Sequence, residues 1–161
     1  MERRRIHLEC LWINDHRYYA NGTGADQGGG GIFNNGGTLV VDDATISRIA
    51  ADYGASSGGG VLTTDGEVTI TNSEITNNDA NRAGGGIEVI TGDVLVKNVL
   101  LDGNTTGIGE GVPGNGGGLH VTGDTFVEVY GSTITNNIAA EESGGLWNSA
   151  TGEMEVISTD I

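Results

Sequence analysis

Carboxylates are the side chains in this sequence that are most able to bind a metal or take part in catalysis. Its 161 residues include 22 Asp and Glu against seven Lys and Arg, which gives a formal net charge of −15. Glu128, Glu153 and Glu155 alternate with apolar residues, and in β-strands all three would face outward. Like charges held opposite each other are unfavourable, and a bound Ca²⁺, which takes carboxylate oxygens as ligands, would relieve them. These three glutamates are therefore a candidate calcium site, with a solvated acidic surface as the alternative and no other cofactor expected.

The outward acids also allow an enzymatic interpretation. Retaining glycosidases hold two carboxyl groups about 5 to 5.5 Å apart, which is close to the spacing of about 4.8 Å between neighbouring β-strands. Against catalysis, residues 28–161 offer only Arg48, Arg82 and Lys97 as cations, and none falls among the outward acids. No pairing typical of acid–base or metal chemistry is found for the three histidines, His7, His16 and His120. We name no catalytic residue and keep a polysaccharide-acting enzyme as an alternative.

The acidic balance excludes polyanions as partners, because a chain with this net charge repels nucleic acid and anionic membrane surfaces. Residues 1–13 begin with arginines, as a signal peptide would, but His7 and Glu9 interrupt the apolar run. We therefore predict neither a signal peptide nor membrane insertion. Cys10 is the only cysteine, so an intramolecular disulfide is excluded.

Glycine marks an internal repeat that must position the carboxylates. The chain has 30 glycines, and a glycine pair followed by an aliphatic residue recurs five times. The last glycines of these clusters are spaced 29, 26, 32 and 27 residues apart: Gly31, Gly60, Gly86, Gly118 and Gly145. Downstream of each cluster, apolar residues follow at a spacing of two, which is typical of β-strands and not of helices.

Each repeat therefore predicts three short strands. A unit of this size cannot bury its apolar side chains alone, so successive units must stack. We predict an all-β protein, a right-handed, single-stranded parallel β-helix of about five to six rungs. Residues 1–27 would form a partial rung and a loop, followed in one domain by the repeats 28–57, 58–83, 84–115, 116–143 and 144–161.

Two sets of residues are assigned structural roles. The glycine clusters, with Gly31, Gly60, Gly86, Gly118 and Gly145, are expected to be structural, because the loop re-enters the first strand there and a residue in left-handed backbone geometry opposes a β-carbon. Gly86→Val should therefore destabilise strongly, whereas Glu88→Gln, at an outward position, should have almost no effect. Three asparagines, Asn78, Asn104 and Asn137, share the position where the third strand ends, and their amides can form a ladder at that corner.

The repeats resemble a known family of surface proteins. The glycine-rich segments are paired with Ile75-Thr76-Asn77-Asn78, Leu101-Asp102-Gly103-Asn104 and Ile134-Thr135-Asn136-Asn137. This pattern resembles the repeats of bacterial polymorphic outer-membrane proteins and related cell-surface β-helix proteins, over residues 28–161. The chain carries Ile or Leu where those proteins usually carry Phe. The resemblance implies a structural or adhesin-like module located outside the cell or at its surface, and it transfers no catalytic residue.

Variable loops leave the third strand of each repeat at the same corner. They include Tyr53, Ile108, Val112 and Pro113, which would give a mixed apolar surface for a protein or glycan partner. The alternative is self-assembly, because open ends of a β-helix expose strand edges that could pair head to tail with another copy.

Overall fold

The computed structural model describes residues 5–9, 12–14, 20–24, 26–51, 56–107 and 113–161. Within these ranges every regular element is a β-strand, and every strand pair is parallel. The strands are, in chain order, β1 (Arg5–Glu9), β2 (Trp12–Asn14), β3 (Ile32–Asp42), β4 (Thr45–Ser47), β5 (Ala50–Ala51), β6 (Val61–Thr71), β7 (Glu74–Thr76), β8 (Asp79–Ala80), β9 (Ile87–Val89), β10 (Asp93–Lys97), β11 (Leu100–Asp102), β12 (Thr105–Thr106), β13 (Leu119–Val121), β14 (Phe126–Tyr130), β15 (Thr133–Thr135), β16 (Ile138–Ala139), β17 (Leu146–Asn148) and β18 (Glu153–Ile157).

The strands form three parallel sheets that wrap around one core. Sheet A has nine strands, in the order β17-β13-β9-β6-β10-β14-β18, with β3 joining β1 to β6. Sheet B has the order β15-β11-β7-β4-β2, and sheet C the order β16-β12-β8-β5. The chain visits all three sheets in about four complete turns, with a partial rung at each end. This architecture confirms the predicted parallel β-helix.

Two features of the rungs differ from the sequence prediction. Sheet C was not expected, because its two-residue strands begin the segments predicted as loops. Backbone hydrogen bonds, such as the one that Asp79 N donates to Ile49 O (2.9 Å), join these strands to the neighbouring rung. In the first two rungs, the predicted first and second strands are one continuous strand of 11 residues, β3 or β6. A bulge between Asn34 and Thr38 makes the bend there.

The core includes three stacked aliphatic columns from sheets A and B, and each column holds one residue from every rung; Ile87, Val89, Leu119 and Val121 add to it from the first strands. Members of the inner rungs are at most 3% exposed: Leu39, Val68, Val94 and Val127; Val41, Ile70, Val96 and Val129; Ile46, Ile75, Leu101 and Ile134. Burying such a side chain contributes roughly 1.5 to 3 kcal/mol. These columns coincide with the predicted apolar positions and hold the outward residues in register.

The three asparagines form a continuous ladder at the corner after sheet B. Asn78 Nδ2 donates to Asn104 Oδ1, and Asn104 Nδ2 donates to Asn137 Oδ1, both at 3.0 Å. Each Nδ2 also donates to a backbone carbonyl of the rung before, as Asn104 does to Ile75 O at 2.9 Å. Asn78 and Asn104 are fully buried. The ladder therefore satisfies backbone groups that the turn would otherwise leave unpaired.

Two different constraints act on the glycine clusters. The left-handed residue lies two positions before the last glycine of each cluster, at Gly29, Gly58, Gly84, Gly116 and Ser143; Gly84, for example, has a φ of +59°. The last glycine is not left-handed; a β-carbon on Gly86 would lie 2.6 Å from the carbonyl oxygen of Gly118 in the next rung. Close rung-to-rung approach, and not backbone handedness, therefore excludes a side chain at Gly86.

Candidate functional site

An outward face of sheet A brings the predicted acidic columns together. The register pairs Glu67 with Asp93 and Thr69 with Leu95 on β6 and β10. On the next strand, β14, Glu128 pairs with Leu95. Side chains of a strand alternate between faces, and the inward residues of these strands are fixed in the core, so the remaining ones must face solvent. Three neighbouring strands thus present carboxylates, a hydroxyl and apolar groups on one rigid surface.

These outward residues line an open groove of about 290 Å³. Its side chains come from two adjacent columns: Glu67, Asp93 and Phe126, and Thr69, Leu95 and Glu128. Phe126 is 37% exposed, whereas its inward neighbours on the strand, Val127 and Val129, are fully buried. The groove therefore combines an accessible aromatic surface with carboxylate hydrogen-bond acceptors, the mixture that small-ligand sites typically offer.

A second aromatic residue extends this surface along β14. Tyr130 is 39% exposed, and Lys97 Nζ lies 5.5 Å from the centre of its ring. Phe126, Glu128 and Tyr130 occupy alternate positions and so share one face of the strand. At about 3.3 Å per residue, the two aromatic residues are roughly 13 Å apart along the strand. We call Glu67, Asp93, Phe126, Glu128 and Tyr130, with Thr69 and Leu95, the acidic–aromatic groove.

The predicted calcium ligands are only partly brought together. Glu128 pairs with Glu155 on β18, but Glu153 pairs with Phe126, two positions away. In the part of the chain that the structure describes, no group of three or more His, Cys, Asp or Glu is arranged to hold a metal ion. The calcium prediction therefore gains no geometric support.

The predicted binding loops lie mostly outside the described residues. Tyr53, Ile108 and Val112 are not described, whereas Pro113 is exposed at the start of the segment leading to Gly114 and Asn115. The apolar loop surface thus stays a prediction.

A buried polar cluster lies on the outer face of the first strand of the rungs, and the sequence analysis missed it. Glu88 on β9 is paired in register with His120 on β13. The two side chains are 0% and 2% exposed, and His120 Nδ1 lies 2.8 Å from Glu88 Oε2. The expectation that His120 lacks a partner is therefore wrong, as is the assignment of Glu88 to a solvent-exposed position.

Further groups close this cluster on all sides. The Thr122 hydroxyl donates to Glu88 Oε1 at 2.5 Å, and Arg82 Nη2 lies 3.4 Å from the same oxygen. Trp147 stacks on the His120 ring with centroids 4.1 Å apart and planes 8° apart. Glu88 Oε1 thus accepts hydrogen bonds from Thr122 and Arg82, whereas Oε2 lies beside His120 without an aligned hydrogen bond.

Glycine explains why this outer face is buried. A β-carbon on Gly116 would lie 2.8 Å from His120 Cβ, and one on Gly84 would lie 2.7 Å from Glu88 N. The chain entering each rung therefore folds over the strand that it is about to form and covers its outer side. Glu88 and His120 are inaccessible to a substrate, so we assign them a positioning role. The alignment of the repeats could have found this pair. It placed Glu128 beside Glu155, and the same alignment of β9 with β13 places Glu88 beside His120.

Among the described residues, no helix has the length and apolar character that crossing a membrane requires. Comparison of the chain with protein-family models, with curated proteins and with solved structures finds no match.

Proposed function

We propose that this chain is a non-catalytic, adhesive β-helix module of a bacterial cell-surface or secreted protein, and that it binds a glycan in the acidic–aromatic groove. The observation that carries the proposal is the exposure of Phe126 and Tyr130 on either side of Glu128 on one strand face. The resemblance of the repeats to those of polymorphic outer-membrane proteins supports a location at the cell surface.

The chemistry of the groove fits a sugar. A sugar ring has an apolar C–H face, which can pack on an aromatic ring, and a rim of hydroxyl groups, which can donate to carboxylates. Phe126 and Tyr130 supply the rings, Glu128 supplies an acceptor between them, and Asp93 supplies another on the neighbouring strand β10. Because the side chains stand on strands fixed by the core, little ordering entropy opposes binding. The acidic lining and the net charge of −15 favour a neutral or cationic glycan over a polyanionic one.

Screening the full chain on an array of neutral, amino-bearing and acidic glycans tests this proposal. We expect binding to neutral or amino-bearing members, and a loss of roughly tenfold in affinity for Phe126→Ala or Tyr130→Ala. Phe33→Ala is a matched control, because Phe33 is 51% exposed but lies outside the groove. Binding that survives every groove substitution would move the site to the loops with Tyr53, Ile108, Val112 and Pro113 and contradict the proposal.

One observation favours a second candidate function, a polysaccharide-cleaving enzyme. Glu67 and Asp93 are exposed, line the groove and are register partners on neighbouring strands. Neighbouring strands lie about 4.8 Å apart. This distance is close to the separation of about 5 to 5.5 Å between the carboxyl groups of retaining glycosidases. Incubation with any glycan that binds, followed by an assay for new reducing ends, separates the two functions. New ends that disappear in Glu67→Gln would establish catalysis; their absence with bound glycan supports the adhesive module.

A further inference from the structure

The two aromatic rings of the acidic–aromatic groove have different neighbours. Strand β14 lies between β10 and β18, so each ring has an outward residue on either side. By the register of β10 and β14, Phe126 lies beside Asp93, and it pairs with Glu153 on β18. All three side chains are exposed. Since neighbouring strands are about 4.8 Å apart, a carboxylate-bearing residue lies one strand spacing away on each side of Phe126.

Tyr130 has the opposite surroundings. It pairs with Lys97 on β10 and with Ile157 on β18. Lys97 Nζ lies 5.5 Å from the centre of the Tyr130 ring, which is within the range of a cation–π contact. The Tyr130 ring therefore already has a cation from the chain itself. Among the described residues, no Lys or Arg lies over the Phe126 ring in the same way.

The carboxylates around Phe126 have no partner of opposite charge within the described residues. Asp93, Glu153 and Glu128, which is two positions along β14, form no ion pair and no side-chain hydrogen bond there. Like charges gathered on one rigid surface repel each other, so a bound cation would be favoured. A metal ion is not the best match, because these acids do not form a metal-binding group. An exposed aromatic face instead suits an organic ammonium group, whose charge is attracted to the ring.

We propose that the glycan bound in the groove contains an amino sugar, and that the protonated amine of this sugar lies at the Phe126 end. This inference rests on the proposed glycan-binding function. An ammonium group only donates hydrogen bonds, and a carboxylate only accepts them, so Asp93, Glu128 and Glu153 match it. Hydrogen bonds between charged groups are roughly twice as strong as those between neutral groups. An amine is therefore favoured over a hydroxyl group at the same place on the sugar.

The other end of the groove selects differently. The Lys97 ammonium can only donate, and it repels a second cation. The Tyr130 end is therefore expected to take a neutral sugar, whose hydroxyl or carbonyl oxygens accept a hydrogen bond from Lys97. The amine thus fixes the direction in which the oligosaccharide lies along β14.

Calorimetric titration of the full chain with two matched ligands tests the inference. Oligosaccharides of glucosamine carry free amines, and oligosaccharides of N-acetylglucosamine have the same rings and linkage without the charge. We expect the amine form to bind roughly tenfold more tightly at low ionic strength. Added salt should reduce this preference, because ions screen exposed charges.

The variant Asp93→Asn with Glu153→Gln removes the two charges beside Phe126 and nearly keeps the size of the side chains. It should lose the preference for the amine and still bind the N-acetylated oligosaccharide, which also shows that the variant is folded. Glu74→Gln with Glu141→Gln is the matched control. It removes two charges at exposed positions outside the groove and should keep the preference.

Equal affinity of the unmodified chain for both oligosaccharides, with binding that still depends on Phe126, would overturn the inference and leave the glycan-binding function standing. Binding of neither ligand, and of no other glycan, would overturn both. A variant Asp93→Asn with Glu153→Gln that keeps the preference, or loses both ligands equally, would also overturn the inference. So would a lysine tripeptide that binds as tightly as the glucosamine oligosaccharide, because the groove would then select the ammonium group without the sugar.

Discussion

Glu88 and His120 lie on neighbouring rungs with Oε2 and Nδ1 2.8 Å apart, and neither side chain reaches solvent. The pair links β9 to β13 on the outer face of the sheet, whereas the inner face of the same strands packs into the core through Ile87, Val89, Leu119 and Val121. A buried carboxyl group in such a position demands one register, because any slip takes it away from the Thr122 and Arg82 donors. We infer that the cluster fixes the alignment of the rungs that carry the groove.

The first prediction concerns this pair. Glu88→Gln should lower the free energy of unfolding by roughly 1.5 to 3 kcal/mol, because a hydrogen bond to a charged group is lost and a donor is left unpaired. Urea unfolding measures this value. Glu74→Gln is the matched control, since Glu74 is exposed on β7, and it should change stability by less than about 0.5 kcal/mol. Equal effects of the two substitutions would mean that Glu88 is not buried.

A second prediction uses two glycines at equivalent positions. In Gly86→Ala the new methyl would lie 2.6 Å from Gly118 O, so the rungs must separate. In Gly145→Ala the nearest atom would be Ile134 Cγ2 at 3.5 Å, an ordinary contact. Thermal unfolding should show a large loss of stability for the first and a change of less than about 1 kcal/mol for the second. A comparable loss at Gly145 would contradict the rung spacing described above.

A third prediction concerns the asparagine ladder. Asn104→Ala removes bonds to Asn78 on one side and to Asn137 on the other, and it leaves Ile75 O without its side-chain donor. Since each unsatisfied buried polar group costs about 1 to 3 kcal/mol, the total should exceed about 3 kcal/mol. Asn137→Ala, at the half-buried end of the ladder, should cost less than half as much. Chemical denaturation of both variants measures the difference. A larger loss of stability in Asn137→Ala than in Asn104→Ala would contradict a ladder in which the buried middle asparagine contributes most.

The fourth prediction addresses calcium. Because Glu153 is displaced from the pair formed by Glu128 and Glu155, millimolar Ca²⁺ should shift the melting temperature no more than the same concentration of Mg²⁺. A calorimetric scan with each ion and with a chelator measures this. A rise specific to Ca²⁺ that disappears in Glu128→Gln and Glu155→Gln would restore the calcium site.

The repeat columns could be predicted from the sequence because alternation with a spacing of two leaves no choice of which residues face inward. Val94 and Val96 lie in the core for that reason, and Glu128 and Glu155 lie opposite each other. Burial of the outer face was not predictable in this way. Periodicity assigns Glu88 to the outside correctly but carries no information about the glycine segment that folds over it.

The short strands of sheet C could not be predicted from the sequence for a related reason. Residues such as Asp79 and Ala80 form a strand two residues long, which is too short for any apolar alternation to mark it. Their pairing depends on the stacking of the rungs and not on local preference. Alternation along the strand places Phe126 and Tyr130 at outward positions. The sequence alone does not indicate that they stay exposed on either side of Glu128 in the folded chain.

Mapping glycan binding by nuclear magnetic resonance tests the central claim most directly. The glycan that binds most tightly on the array would be titrated into the isotope-labelled full chain while backbone amide shifts are followed. The proposed function predicts that the largest shifts fall on β6, β10 and β14, around Asp93, Phe126, Glu128 and Tyr130. Shifts confined to the loops or to the ends of the rod, with these strands unchanged, would contradict it.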